Sequence, residues 1–386
     1  MATKETNKDS KEESRKYKLE TFGKGPMLPS FSEVLNRQPY VFYGADNQLP
    51  NYLISRYQNC AVHKSIVLSK QSQIVGDGLY STNEPISVVT MVNPKETITD
   101  VYRKCALDLI LFGGYALNVV WSKDRKTIAE IYHLDFSRVR CGKIDPESGE
   151  IETYYYSPDW TNTRKYPPQD YPAFNQETKE PSQIIYYTDY TPNLTYYPEP
   201  DYSGAMASIE IDINIKVFHN NNLMNGMSPS LWINFNNGIP DESEQRILTR
   251  GLEEQYASAN NAGRPIVSFN ESKELAPEIV QIPANANDNY YTALYQDIQT
   301  SILAGHRITS GELFGISTPG ALGVSRQQLQ DSSEYFYKTV IVGYINELLP
   351  TFNKVMSLKY EKPINLEVKP LTIFDEDNQI NETTPE

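Results

Sequence analysis

The chain has 386 residues, and its 35 Lys and Arg stand against 49 Asp and Glu, a net charge of −14. That balance excludes a tight, sequence-reading nucleic-acid binder, which needs a basic stripe to displace counterions from phosphates. It is compatible with an acidic surface that lets a duplex slide past without gripping it.

Three cysteines, Cys60, Cys105 and Cys141, form no CxxC pair, which speaks against a disulfide framework or a zinc site. Cys60 and Cys105 fall in apolar helical patterns and read as small core residues. The longest apolar stretch, Cys105 to Trp121, is broken by Asp108, Gly113 and Gly114 and does not read as a membrane span. The opening eighteen residues are polar and show no secretory signal, so the N-x-[ST] matches at Asn193, Asn270 and Asn381 read as chance. Twenty-eight Tyr suggest a protein with many contact surfaces.

In chain order, residues 1 to about 20 lack apolar periodicity and are predicted to be disordered. A long helix is predicted from Pro50 to Val75, with Ile54, Tyr57, Ala61, Leu68 and Val75 on one side and a stop at Gly76-Asp77-Gly78. A second helix runs from Thr97 to Phe112 on the face Ile98, Val101, Cys105, Leu109 and Phe112, capped by Gly113-Gly114. The period then changes, and Tyr115 to Trp121, Ile128 to Leu134 and Ser137 to Cys141 read as short strands of an antiparallel sheet beside the helices.

Residues 151 to 200 hold ten Tyr and eight Pro, a density that blocks long elements and predicts extended loops and edge strands. This stretch reads either as an insertion packed on its own sheet or as a subunit contact surface. A helix follows from Ser203 to about Leu223. Leu231, Ile233 and Phe235 alternate as a strand ending at Asn236-Asn237-Gly238, a charged helix runs from Pro240 to about Ala259, and Pro265 to Phe269 and Glu278 to Ile282 read as strands.

Tyr291, Leu294, Ile298 and Ile302 mark one helical face, and Leu329, Phe336, Val340, Tyr344 and Leu348 mark another that ends near Leu349. Between them the Gly-rich segment from Gly311 to Ser325 reads as a long functional loop held at both ends. Gly315 and Gly320 have the spacing of a phosphate-binding loop, but Ala321 and Leu322 stand where that chemistry requires Lys and then Ser or Thr.

The four histidines, His63, His133, His219 and His306, are scattered without a partner at ligand spacing, and no metal or cofactor is expected. His306, next to Arg307, reads as a cation complementing a helix C-terminus. The Asp375-Glu376-Asp377-Asn378 run lacks the Gly of a calcium loop and reads as a solvated tail. No serine-hydrolase elbow, zinc-protease helix or dinucleotide fingerprint is present. A carboxylate-based hydrolase built in the Tyr-rich region stays open as an alternative, as does a tail or adhesion protein of a virion.

Taken in order, these elements resemble the portal proteins of tailed double-stranded DNA bacteriophages over roughly residues 40 to 350. Leu111-Phe112-Gly113-Gly114-Tyr115-Ala116-Leu117-Asn118-Val119-Val120 resembles the helix-to-strand step of their wing. Ile131-Tyr132-His133-Leu134 and Arg138-Val139-Arg140 resemble the paired strands that follow. Gly251-Leu252-Glu253-Glu254-Gln255-Tyr256 with Asn261-Ala262-Gly263-Arg264-Pro265-Ile266-Val267 is similar to the clip helix and its exit into a strand. Ile302-Leu303-Ala304 with Leu313-Phe314-Gly315 resembles the stem end and channel loop.

The resemblance implies an α+β, portal-like fold. It assigns residues 1–20 to an N-terminal tail, 21–200 to the first part of an α/β wing, 201–225 to a stem helix and 226–288 to a small inserted α/β clip. A second stem helix at 289–308, a tunnel loop at 309–325, a wing helix with C-terminal strands at 326–374 and an acidic tail at 375–386 complete the division. A helical crown is expected to be short or absent. The implied role is not enzymatic: a dodecameric ring at one capsid vertex, passing double-stranded DNA and docking the terminase motor, neck or adaptor proteins and the major capsid protein. This places the chain in the virion, and in the host cytoplasm during assembly.

The expected tunnel-loop residues are Gly311, Gly315, Ser317, Thr318, Pro319, Gly320, Leu322 and Gly323, with Arg307 and Arg326 as candidate phosphate contacts. Trp232, Asn236, Asn237, Arg250 and Arg264 are the expected docking surface of the clip.

Overall fold

The computed structural model describes residues 30–225, 232–235, 241, 243–244, 246–247, 250, 266–269, 288–308, 310–314 and 325–371. The two predicted tails and the strand at Glu278 to Ile282 lie outside the described residues.

The predicted helix from Pro50 to Val75 is two helices, α1 (Leu49–Asn59) and α2 (Ala61–Val75). Cys60 between them takes an extended conformation, φ −98° and ψ 110°, and its thiol donates to the Asp212 carboxylate at 3.2 Å. The apolar period runs through this single-residue break, which is why the sequence reads as continuous. The Gly76 stop is as expected, and Asp77 N–H and Gly78 C=O bond to Lys369, joining the turn to a short antiparallel pair of β3 (Leu79–Ser81) and β12 (Leu366–Val368).

Helix α3 (Ile98–Phe112) starts where Thr97 and Asp100 close a reciprocal capping box at 3.0 and 3.1 Å, and it ends at Gly113 in the left-handed conformation, φ 81°. The expected single apolar face is too narrow a description. Val101, Tyr102, Cys105, Ala106, Leu109 and Ile110 are all at most 2% exposed, because α3 is covered by α2 and the C-terminal helix on some sides and by a sheet on another.

That sheet is antiparallel, with β4 (Gly114–Trp121) in the centre, β5 (Ile128–Leu134) on one edge and β9 (Ser182–Thr188) on the other. A second antiparallel sheet orders β6 (Val139–Cys141), β7 (Thr153–Tyr156) and β8 (Gln169–Pro172). The Pro-rich region therefore supplies short and edge strands, as its composition predicts. Near the N-terminus, β1 (Glu33–Val34) and β2 (Phe42–Tyr43) pair, and Val41 N–H reaches the Cys141 carbonyl.

A 3₁₀ turn at Ser203–Ala205 leads into α4 (Met206–Asn225), which packs along α5 (Asp288–Gly305). Between them in sequence, β10 (Trp232–Phe235) and β11 (Ile266–Phe269) pair in parallel, Trp232 opposite Ile266. The described residues of the predicted charged helix, at 243–244, 246–247 and 250, are helical.

The last helical stretch is α6 (Arg326–Phe336), a π turn (Tyr337–Ile341) and α7 (Val342–Tyr360) in succession. Phe336, Val340, Tyr344 and Leu348 are buried on the expected face. Successive steps of four residues drift by about 40° each on an α-helix, and the wider π turn takes up part of that drift, keeping all four on the core. The helix passes the expected end near Leu349 and runs on through Pro350 to Tyr360. An interior Pro costs about 3 kcal/mol, and burying Phe352, Val355 and Met356 at about 1.5–3 kcal/mol each outweighs it.

Candidate functional site: the stem root and its loop

The sequence singles out the segment after α5, and the structure shows what holds it. The expected loop does not begin free at Gly311. Gly311–Phe314 form a 3₁₀ turn, and Phe314 is buried with its ring edge-on to Phe336 at 5.6 Å. At the far end Ser325 caps α6 in a reciprocal box with Gln328. Gly315, Ser317, Thr318, Pro319, Gly320, Leu322 and Gly323 lie outside the described residues, as do Asn236, Asn237 and Arg264 of the expected clip surface. Trp232 sits on β10, and Arg250 is exposed on the charged helix.

The helices α4 and α5 meet closely where α5 ends. A Cβ on Gly305 would lie 2.3 Å from the Ala205 Cβ, so only glycine permits this approach. The next residue, His306, is fully buried, contrary to the expected cation complementing the helix C-terminus. Burial holds its pKa well below the ordinary value, and Lys70 and His63 add to the effect, so it is neutral. Tyr202 stacks on His306 at 5.1 Å and donates its hydroxyl to the Leu111 carbonyl at 2.8 Å.

Arg307, an expected phosphate contact, has a positive φ of 61° and donates from Nη2 to the Thr339 carbonyl at 2.7 Å. It borders a cleft whose wall also carries Asp189, Glu199, Asp201, Tyr344 and Glu347. Four carboxylates thus share the cleft with its cation, and the bond to Thr339 ties the turn before the loop to the last helical stretch. Arg326 is exposed in the first turn of α6.

At the wall of this cleft a polar triad absent from the sequence reading joins a buried lysine to Asp201, whose side chain is 23% exposed. Lys70 on α2 is fully buried and donates to Asp201 Oδ2 at 3.2 Å and to the Tyr344 hydroxyl at 3.4 Å, while that hydroxyl donates to the same carboxylate oxygen at 2.5 Å. The available signal is the row Ile66, Lys70, Ile74, a lysine within an apolar i, i+4 series.

Glu347 has its pKa pushed up to about 7 by burial, with Asp189 and Asp201 adding repulsion and Arg307 opposing them. A carboxyl that binds its proton more tightly folded than unfolded stabilises the fold below its unfolded pKa, and that contribution is lost as pH rises through about 7. Glu347→Gln is therefore expected to raise Tm by on the order of 2 °C at pH 8 and to change it little at pH 5, read by thermal unfolding at both values.

Among the described residues no cluster of His, Cys, Asp and Glu has metal-ligand geometry, and no helix is long and apolar enough to cross a membrane. In the Tyr-rich region several rings pack inward, while Tyr190 is 84% exposed. Tyr186 stacks on Tyr154 and Phe136 at 4.9 Å, Tyr187 stacks on Tyr115 at 4.9 Å, and Tyr197 stacks on Tyr43 at 4.1 Å. These stacked rings are spent on packing, as an insertion packed on its own sheet requires.

The arrangement is that of a mixed helix and sheet body from which two packed helices depart and return. A family model described as phage portal protein matches residues 70–293, and the chain belongs to that family. Comparison with curated proteins finds no match. Among solved structures, the chain is similar to one in the virion of a native gene transfer agent particle, with TM-score 0.56 and 13% identity over 86% of this chain and 84% of that one. It is also similar to one in the neck of an empty particle of that agent computed with C6 symmetry, with TM-score 0.54 and 14% identity over 86% of each chain. A third, from the neck of the native particle computed with C12 symmetry, matches at TM-score 0.55 and 14% identity over 83% of this chain and 84% of that one. At these identities the likeness concerns the fold.

Proposed function

We propose that the chain forms a closed ring, a dodecamer, at one vertex of a capsid and that double-stranded DNA passes through its centre during packaging and ejection. The observation that carries this reading is the stem. Helix α4 bears few charges, yet Ile211, Val217 and Phe218 are 44, 52 and 49% exposed, and residues 216–220 are exposed throughout. Apolar side chains left open on a long helix suit burial against the next subunit, through the head-to-tail contact that ring symmetry requires. The net charge of −14 suits a duplex that slides.

In this reading residues 311–325 line the narrowest part of the channel. Arg307 and Arg326 flank them as transient phosphate contacts. Trp232, Asn236, Asn237, Arg250 and Arg264 belong to the docking face of a clip at 226–288. Terminase, neck or adaptor proteins and the major capsid protein are the partners. Negative-stain electron microscopy with mass photometry on one sample tests the reading: closed rings of about a dozen subunits with a central hole are the expected result. A monomer or dimer that persists across salt conditions would overturn it.

A further inference from the structure

The stem root contains a histidine pair that the channel reading does not use. His63 on α2 and His306 after α5, separated by 243 positions in sequence, meet with Nδ1 of His63 and Nε2 of His306 2.9 Å apart. Both side chains are 0% exposed. Tyr202, at the entry to α4, lies against both rings, 4.5 Å from His63 and 5.1 Å from His306. The pair thus ties α2 to the start of α4 and the end of α5, at the point where Gly305 and Ala205 touch.

A hydrogen bond between two imidazoles needs one N–H and one bare nitrogen, so the contact holds one proton. The outward atoms, His63 Nε2 and His306 Nδ1, have no protein partner. Whichever tautomer is present, one of them is the remaining N–H and the other a free lone pair. A second proton would turn that lone pair into a buried N–H with no acceptor and place a cation in the core.

The surroundings oppose that charge. On α2, Lys70 disfavours the charged form of both histidines, while Lys64 lies over the Tyr57 ring. From α1, Tyr57 presents its ring edge to His63 at 6.4 Å, and Arg56 is paired with Glu210 of α4. Asp212 of α4 is engaged by Cys60 and by Lys216 at 2.6 Å. Asp201, beside Tyr202, is engaged by Lys70 and by Tyr344 from α7. Arg307, next to His306, borders the cleft with Glu347. Glu210, Asp212 and Asp201 thus each have a cation or donor of their own, although Asp212 Oδ1 has no partner.

We propose that the His63–His306 contact is an acid-sensitive latch, which holds the base of α4 and α5 on α2 while the rings share one proton and releases it when a second proton binds. Burial lowers the His63 pKa to about 3, so the closed form resists protonation while an opened form, with ordinary imidazoles near pKa 6.5, accepts it. The sign follows: the latch is fully effective above about pH 6.5 and weakens as pH falls from there toward about 3. The inference rests on the fold and is independent of the channel reading.

Hydrogen exchange on the full-length protein at pH 7.5 and 5.5, corrected for intrinsic rates, tests it. Amides at 203–209 and 302–308 are expected to open about tenfold more per released histidine at the lower pH. His63→Asn and His306→Gln keep a neutral hydrogen-bonding atom near the contact and are expected to lose that dependence. Equal acceleration in wild type and both variants, or none in wild type, overturns the latch. Should a variant fail to fold, the wild type decides alone: opening at 203–209 and 302–308 that rises from pH 7.5 to 5.5 while both imidazoles stay neutral in NMR supports the proposal, and no rise, or either ring titrating near 6.5 in the folded protein, sinks it.

Discussion

Deletion of Thr318 to Leu322 is expected to leave rings of wild-type size and to bring DNA packaging or retention close to background. The anchors of the loop lie outside the deleted stretch: Phe314 is seated on Phe336, and Ser325 caps α6 through Gln328. The shortened chain can still close. Phe336 lies eleven residues along the helix from Ser325, about 16 Å of rise, while the five remaining loop residues span about 20 Å when extended. In the channel reading proposed above, the deletion removes the part of the loop that meets DNA, and the buried contacts that set the fold stay. Electron microscopy of the variant together with a DNA-filling assay reads both halves. Loss of rings would show that the segment serves assembly, and packaging at the wild-type level would remove it from the channel.

Replacement of Arg140 by Leu is expected to destabilise the protein by about 3–5 kcal/mol, the range for stripping one partner from a buried polar network. Arg140 on β6 is 1% exposed and lies over the Trp160 ring at 4.8 Å. Its Nη1 donates to the Ser137 and Val139 carbonyls at 2.8 Å, Nη2 donates to the Asn47 carbonyl at 3.0 Å, and Nε donates to Asn47 Oδ1 at 2.5 Å. Asn47 in turn accepts from Tyr43 N–H, at a residue with φ 64°, so the guanidinium fixes the turn that enters α1. Leu fills the volume but strands these acceptors. Lys is expected to rescue little, since one ammonium cannot reproduce the planar fork. Urea unfolding of R140L and R140K measures the loss, and a change below about 1 kcal/mol in both would show the site to be plastic.

Much of the wing was legible because its signals are local. Thr97 and Asp100 mark the start of α3 within one residue, Gly113 marks its end, and the change of period after it marks β4 and β5. The same reasoning extended α1 through Cys60 and stopped the C-terminal helix near Leu349. In both places a long-range contact decides: the Cys60 thiol on Asp212, and the burial of Phe352, Val355 and Met356. The site divides along the same line. The Gly-rich segment after α5 was visible as composition, whereas His63 with His306, and Lys70 with Asp201 and Tyr344, were not. Each member reads alone as an unremarkable polar residue.

What the sequence by itself determined is therefore the order and type of the elements, the acidic balance that suits sliding DNA, and the family resemblance carried by short runs in a fixed order. Apolar period, caps and turn residues act within a few positions, so they are written where they act. The tertiary structure alone decided which polar groups meet, because pairs 131 to 274 residues apart are brought together where the turn before α4, the end of α5 and α7 pack onto α2. No local pattern encodes that path; it follows from the burial of whole faces, and the polar contacts are what those faces enclose.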